Sequence, residues 1–122
     1  MKKILSILCV IAIVFSLCGC ASREGISKKL TKKGYTVTEY SETSVASYSE
    51  NMTAFDCIGG AVGGFYAVNE ENEVVYVWEF EYREDRDIIY REIESQLTVN
   101  DVIDVSGNMV VYGTEKGVKD AL

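Results

Sequence analysis

The sequence predicts an α+β fold, a two-layer sandwich in which helices cover one face of a mainly antiparallel sheet of about five strands. Short β-branched and aromatic runs separated by turn signals indicate the strands, and two pairs of runs lie close enough to form hairpins. Segments with helical periodicity alternate with these runs. A chain of 122 residues has room for one small domain.

A basic segment, residues 20–34, is expected to precede a folded domain over residues 35–122. Ile26 and Leu30 lie four residues apart, lysines follow, and Gly34 is a helix stop signal. A short helix and a solvated linker both fit this pattern.

The first half of the domain is predicted to contain a strand, a short helix and a hairpin. Residues 35–40 are aromatic and β-branched and favour a strand. Residues 41–56 repeat apolar side chains at spacings of three and four, which favours a helix. Residues 65–68 and 74–82 flank a polar turn, and the second run is predicted to be a central strand because it is apolar on both faces at first.

The second half is predicted to contain a helix, a second hairpin and a terminal helix. Residues 84–97 place acids in the first turn and align Ile89 with later apolar side chains, which is typical of an amphipathic helix. Residues 102–105 and 109–112 are strands joined by a tight turn. Thr114 is expected to cap the terminal helix.

The first residues have the composition of an export signal. Lys2 and Lys3 give a positive start, and residues 4–17 form an apolar run broken only by two serines. A helix that spans a bilayer needs about 20 apolar residues, so this run is short for a permanent anchor. We expect cleavage, and the alternatives are an uncleaved signal anchor or a secreted protein without lipid.

The residues that end this run, Leu17, Cys18, Gly19 and Cys20, resemble the lipobox of bacterial lipoproteins. This resemblance implies a signal peptide over residues 1–19 and a lipid anchor, with acyl chains such as palmitate, on Cys20. Burial of two acyl chains gives a firm anchor, at about 0.8 kcal/mol per CH₂. The remainder is similar to small lipoproteins of Gram-positive bacteria, which implies exposure on the outer face of the cell membrane.

Composition excludes several classes of function. The formal net charge of −7 becomes −9 without Lys2 and Lys3, whereas nucleic-acid binding requires a basic face. The sequence has no histidine, which excludes the Ser-His and Cys-His pairs and the H-E-x-x-H zinc site. After removal of the signal segment and lipidation of Cys20, Cys57 would be the single remaining thiol, so no intramolecular disulfide is expected. For Cys57 itself, a buried position is favoured over a reactive thiol. We expect no catalytic residue, cofactor or resident metal.

Two segments contain candidate ligand contacts. A glycine-rich stretch lacks the patterns of nucleotide-binding loops; a strand bulge or close packing is the favoured interpretation, and a ligand-contacting loop is the alternative. The acidic turn near residues 70–73 is interpreted as a solvated surface in preference to a calcium site. The candidates are Gly59, Gly60, Gly63, Gly64, Glu70, Glu71 and Glu73.

Aromatic side chains alternate along residues 76–82 and are predicted to lie in the core, because a binding platform there would require that helices leave that face open.

The leading hypothesis is a membrane-anchored extracytoplasmic binding module, with an envelope protein or a cationic ligand as partner. The alternative is a small envelope enzyme that uses carboxylates, with or without a metal.

Overall fold

The computed structural model describes residues 22–122, so the signal segment, the lipobox and Cys20 lie outside the described residues. This part of the chain forms five strands and four α-helices, with a short 3₁₀ turn after the second helix. In chain order they are α1 (Arg23–Lys32), β1 (Thr36–Glu39), α2 (Glu42–Met52), the 3₁₀ turn (Thr53–Phe55), β2 (Ala61–Val68), β3 (Val74–Phe80), α3 (Arg83–Gln96), β4 (Asp101–Ser106), β5 (Met109–Thr114) and α4 (Glu115–Ala121).

Hydroxyl side chains cap three of the helices, because each accepts a hydrogen bond from a backbone N–H of the first turn. The capping pairs are Ser22 with Gly25, Ser41 with Ser44 and Thr114 with Gly117, at 2.9, 3.2 and 3.2 Å. Gly34 follows α1 with a φ of +91°, a conformation that favours glycine. The predicted helices near residues 22–33, 41–56 and 84–97 and the terminal helix are therefore confirmed.

The five strands form one sheet in the order β1-β2-β3-β5-β4, and every neighbouring pair is antiparallel. The expected central position of β3 is confirmed. Strand β2 begins at Ala61, earlier than predicted, and its register with β3 shifts between Ala61 and Gly63. The glycine-rich stretch therefore contains a β-bulge, as its favoured interpretation required.

Helices cover both faces of the sheet, which corrects the expectation that they cover one face, while the α+β class and the antiparallel sheet are confirmed. Phe65 and Val77 pack in one core with residues of α1 and α4. Trp78 and Val110 pack in a second core with residues of α2 and α3. Successive side chains of a strand point to opposite faces. Because β3 and β5 are apolar on both faces, both faces require cover.

The two faces differ in how completely they are covered. On the α1–α4 face, Phe65, Val75 and Val111 are all 0% exposed. On the α2–α3 face, Tyr66 lies next to Thr38 of the neighbouring strand and is 36% exposed. Helices α2 and α3 therefore leave part of their face of the sheet open.

Candidate functional site

Three tyrosines lie side by side on this open part of the α2–α3 face. Tyr66 on β2 pairs with Tyr76 on β3, which pairs with Tyr112 on β5. Their ring centroids are 6.4 Å apart for the first pair and 5.1 Å for the second, in tilted and stacked arrangements. Such cross-strand aromatic pairs stabilise a sheet and fix the rings. We call these three side chains the tyrosine row.

A stacked aromatic cluster supports the row from the covered part of the same face. Trp78 lies between Tyr40 and Tyr48, with centroid distances of 4.5 and 3.9 Å and interplanar angles of 9° and 11°. Tyr40 in turn lies 5.8 Å from Tyr66. A Cβ atom on Gly64 would lie 2.7 Å from Cε3 of Trp78. Glycine at this position therefore lets the indole lie across β2 and hold the cluster in place.

The hydroxyl groups of the row are not equally accessible, because that of Tyr112 is largely buried and paired with the indole N–H of Trp78. Those of Tyr66 and Tyr76 form no hydrogen bond with the rest of the described chain, and no buried side-chain polar atom within residues 22–122 lacks a partner. They are therefore open to water or to a ligand. Burial raises the pKa of Tyr112 to about 12, so at neutral pH this phenol is uncharged and is able to donate a hydrogen bond.

The row continues into an apolar cleft between α2 and α3. Tyr112 belongs to the row and also lines this cleft, whose volume is about 280 Å³. Tyr48, Ile89 and Ile93 form its walls, and Phe55, which is 39% exposed, lies at its rim. A flat aromatic surface beside an apolar cleft is a combination that ligand-binding sites use.

The surroundings of the row are acidic. The two helices on this side of the sheet, α2 and α3, carry seven carboxylates and three arginines. Glu92 lines the cleft together with Tyr112, and Glu42 lines the groove beside Tyr40 together with Arg23. A carboxylate thus lies at the Tyr112 end of the row, and the net negative charge of α2 and α3 favours a cationic ligand.

The predicted glycine contacts are placed away from the row, and two of them pack closely against side chains. A Cβ atom on Gly59 would lie 2.6 Å from the ring of Tyr82, and one on Gly60 would lie 2.8 Å from Oγ of Ser49. The backbone N–H of Gly59 also donates to the carboxylate of Asp85 at 2.8 Å. Close packing therefore accounts for these two glycines, and their role as ligand contacts stays a prediction.

The other two glycines lie in β2. The guanidinium of Arg23 occupies the space where Gly63 lacks a side chain, and Arg23 forms an ion pair with Glu79 at 3.2 Å. Gly63 and Gly64 also line the groove beside Tyr40, whose volume is about 470 Å³. Of the four predicted glycines, these two are the ones that a ligand in that groove would contact.

The predicted acidic contacts lie in the turn between β2 and β3. Oδ1 of Asn69 accepts hydrogen bonds from the backbone N–H groups of Glu71 and Glu73 at 3.0 and 2.9 Å, which fixes the turn. Glu70 and Glu71 share a surface depression with Lys33, and Glu73 shares another with lysines of α4. The turn therefore lies beside basic side chains and does not contribute to the tyrosine row.

The thiol of Cys57 is half buried beside the second core. Burial raises its pKa, and the nearby carboxylate of Asp85 raises it further. Since the thiolate is the nucleophile, a raised pKa makes Cys57 a weak one. This agrees with the sequence-based preference for a packed cysteine over a reactive thiol.

The predicted core position of the alternating aromatic side chains of residues 76–82 is confirmed in part. Trp78 and Phe80 are buried, whereas Tyr76 is half buried and Tyr82, at the start of α3, is 40% exposed. The row follows from the hairpin register, because a turn centred near residue 71 places Tyr66 opposite Tyr76. That signal is readable from the sequence once the turn is assigned.

No protein-family model, curated protein or solved structure matches this chain. Within residues 22–122, no helix is long and apolar enough to cross a membrane. The same described residues contain no group of three or more histidine, cysteine, aspartate or glutamate side chains arranged to hold a metal ion.

Proposed function

We propose that the protein is a membrane-anchored extracytoplasmic lipoprotein and that its domain binds a basic segment of an envelope protein on the tyrosine row. The observation that carries this proposal is the row itself, an aromatic surface that α2 and α3 leave open. An aromatic surface flanked by carboxylates suits ligands with ammonium or guanidinium groups. The lipid anchor is expected from the lipobox around Cys20.

Several weak contacts would act together in such a complex. A lysine or arginine over the face of a tyrosine contributes about 0.5–1 kcal/mol at an exposed site. Tyrosine hydroxyls accept hydrogen bonds from N–H groups. Glu92 would pair with a cationic group at the Tyr112 end of the row, and Glu42 with one in the groove beside Tyr40. Because association itself costs several kcal/mol, a ligand must engage several of these groups at once.

The binding proposal is tested by titration with synthetic peptides. The purified protein is titrated with a lysine- and arginine-rich peptide and with an acidic peptide of equal length, and fluorescence of Trp78, the single tryptophan of the sequence, reports binding. We expect the basic peptide alone to bind, and Tyr66→Ala to weaken its binding by about fivefold, which corresponds to about 1 kcal/mol.

Tyr82→Ala is the matched control, because Tyr82 is similarly exposed and lies outside the row. A second variant, Tyr66→Phe, keeps the ring and removes the hydroxyl group. If the control weakens the basic peptide as much as Tyr66→Ala does, binding is general electrostatic attraction and the proposed site is wrong.

The anchor is tested separately by the substitution Cys20→Ser, which removes the thiol that would carry the lipid. We expect this variant to move from the membrane fraction to the soluble fraction of cells, because one or two acyl chains supply the membrane affinity. Cys57→Ser, which changes a half-buried thiol of the folded domain, should remain in the membrane fraction. A Cys20→Ser protein that stays membrane-bound would contradict the lipid anchor.

A further inference from the structure

The basic residues of the described chain are concentrated on one side of the sheet. Helix α1 with its C-cap residue and helix α4 carry seven basic and three acidic side chains, whereas the rest of residues 22–122 carries three and sixteen. The remaining three basic residues all lie in α3. The seven on α1 and α4 are Arg23, Lys28, Lys29, Lys32, Lys33, Lys116 and Lys119.

Four of these lysines point away from the sheet. Ile26 and Leu30 bury the inner side of α1, and Val118 and Ala121 bury the inner side of α4. At 3.6 residues per turn, the residues opposite these positions are Lys28 and Lys32 on α1 and Lys116 and Lys119 on α4. The side chains of Lys28 and Lys116 are 72% and 56% exposed, and each forms an ion pair with an acid on its own helix, Glu24 at 3.1 Å and Asp120 at 3.3 Å.

The two helices are joined into one continuous layer. Nζ of Lys29 donates to the carbonyl oxygen of Leu122 at 2.8 Å, and Lys33 forms an ion pair with Asp120 at 3.6 Å. The hydroxyl of Tyr35 donates to Asp120 at 2.7 Å, and this hydrogen bond is the main cause that lowers the pKa of that carboxyl. The outward lysines of both helices therefore belong to a single surface, which we call the lysine surface.

We infer that the lysine surface lies on the anionic phospholipid of the membrane that holds the lipid anchor. Cys20 precedes Ser22, the N-cap of α1, by two residues, and so few residues span less than about 10 Å. That distance keeps the start of α1 within about one Debye length of the headgroups at physiological salt, and a domain held so closely can turn its outward lysines toward them. Charge complementarity selects anionic lipid as the partner of this surface.

This orientation has a consequence for the tyrosine row. The row lies on the face of the sheet opposite to α1 and α4. With the lysine surface on the bilayer, the acidic face and its tyrosines point away from the membrane, where they are accessible to envelope proteins. The inference rests on the anchor of the proposed function, and it does not depend on which ligand the tyrosine row binds.

The test measures lysine accessibility in the lipidated protein. The protein is placed on vesicles of phosphatidylglycerol and phosphatidylcholine, or of phosphatidylcholine alone, and amine labelling of Lys28 and Lys32 is quantified by mass spectrometry. We expect labelling on anionic vesicles to be several-fold slower than on neutral vesicles. This protection should disappear in 0.5 M salt, because salt screens exposed charges.

A paired set of variants separates the lysine surface from net charge. Lys116→Glu with Lys119→Glu changes α4, at the opposite end of the domain sequence from the anchor. Each lysine near an anionic leaflet accounts for about a fivefold gain in association, so this variant should lower the ratio of docked to undocked domains by roughly 25-fold or more. Arg83→Glu with Arg91→Glu changes the net charge equally on exposed positions of α3 and should keep the protection.

The outcomes are distinguishable. Protection that is equal on neutral vesicles, or that both double variants abolish equally, would overturn the lysine surface. The same spectra report the mass of the N-terminal peptide. A chain without the lipid mass would contradict the anchor, whereas a lipidated chain with unprotected lysines would contradict the lysine surface alone.

Discussion

Asp85 is completely buried, although it belongs to the first turn of a helix with many exposed acids. Its two carboxylate oxygens accept hydrogen bonds from the backbone N–H groups of Ile58 and Gly59 at 2.9 and 2.8 Å. These bonds fasten the segment between α2 and β2 to α3. The carboxylate of Asp85 therefore holds the glycine-rich stretch at Gly59, although the two residues are 26 positions apart in the sequence.

We predict that Asp85→Ala lowers the free energy of unfolding by about 3 kcal/mol, because it leaves two backbone N–H groups without their charge-assisted partner. Asp85→Asn retains one acceptor oxygen and should lose less. Urea unfolding at pH 7, followed by circular dichroism, measures both changes.

Asp87→Ala is the matched control, since the side chain of Asp87 is 45% exposed and pairs with the neighbouring Arg86. This control should change the stability by no more than about 0.5 kcal/mol. Equal losses for the substitutions at positions 85 and 87 would show that the hydrogen bonds of Asp85 do not hold the segment.

At the level of elements, the helices and strands were predictable because each has a local signal. Ser22 and Thr114 stand where helix caps are expected, and residues 107–108 form the tight turn between β4 and β5. The bulge in β2 was also predictable from its glycines. What local signals could not show is which long-range partner each glycine contacts, such as Trp78 over Gly64.

The placement of helices on both faces was not predicted, for a reason that lies in the pattern of the sheet. Strand β5 is apolar over Met109 to Val111, and its successive side chains enter both cores. A run that is apolar on both faces requires cover on both. The tyrosine row was not predictable for a related reason, because the open part of a face is defined only when each helix is assigned to a side of the sheet.

At the level of the whole molecule, the helical layers on the two sides of the sheet have opposite net charge, because α1 with its C-cap and α4 carry seven basic and three acidic side chains and α2 and α3 carry three and seven. Helices α1 and α4 present lysines on one side, and the tyrosine row and most carboxylates lie on the rest of the domain. The proposed lipid attachment precedes the lysine-rich helix directly in the sequence. A domain with this polarity would orient itself between an anionic bilayer and a basic partner without any contact between the two sites.

Buried tyrosines lie in both cores and should make the stability of the whole domain sensitive to alkali. Burial raises the pKa of Tyr112 to about 12, and it also raises the pKa values of Tyr35 and Tyr48 above the ordinary value of 10.0. In the unfolded chain these phenols ionise near pH 10. Their stabilising contribution is therefore complete below about pH 10 and is lost as the pH rises towards the folded-state values, because the unfolded state binds fewer protons there.

We predict that the free energy of unfolding falls between about pH 10 and pH 12, by at most about 1.4 kcal/mol per pH unit for each buried tyrosine. Urea unfolding followed by circular dichroism at several pH values measures this slope. Tyr48→Phe, which removes one raised pKa, should make the slope shallower. A stability that stays constant up to pH 12, or a slope that Tyr48→Phe does not reduce, would mean that these hydroxyls ionise in the folded protein as they do in water.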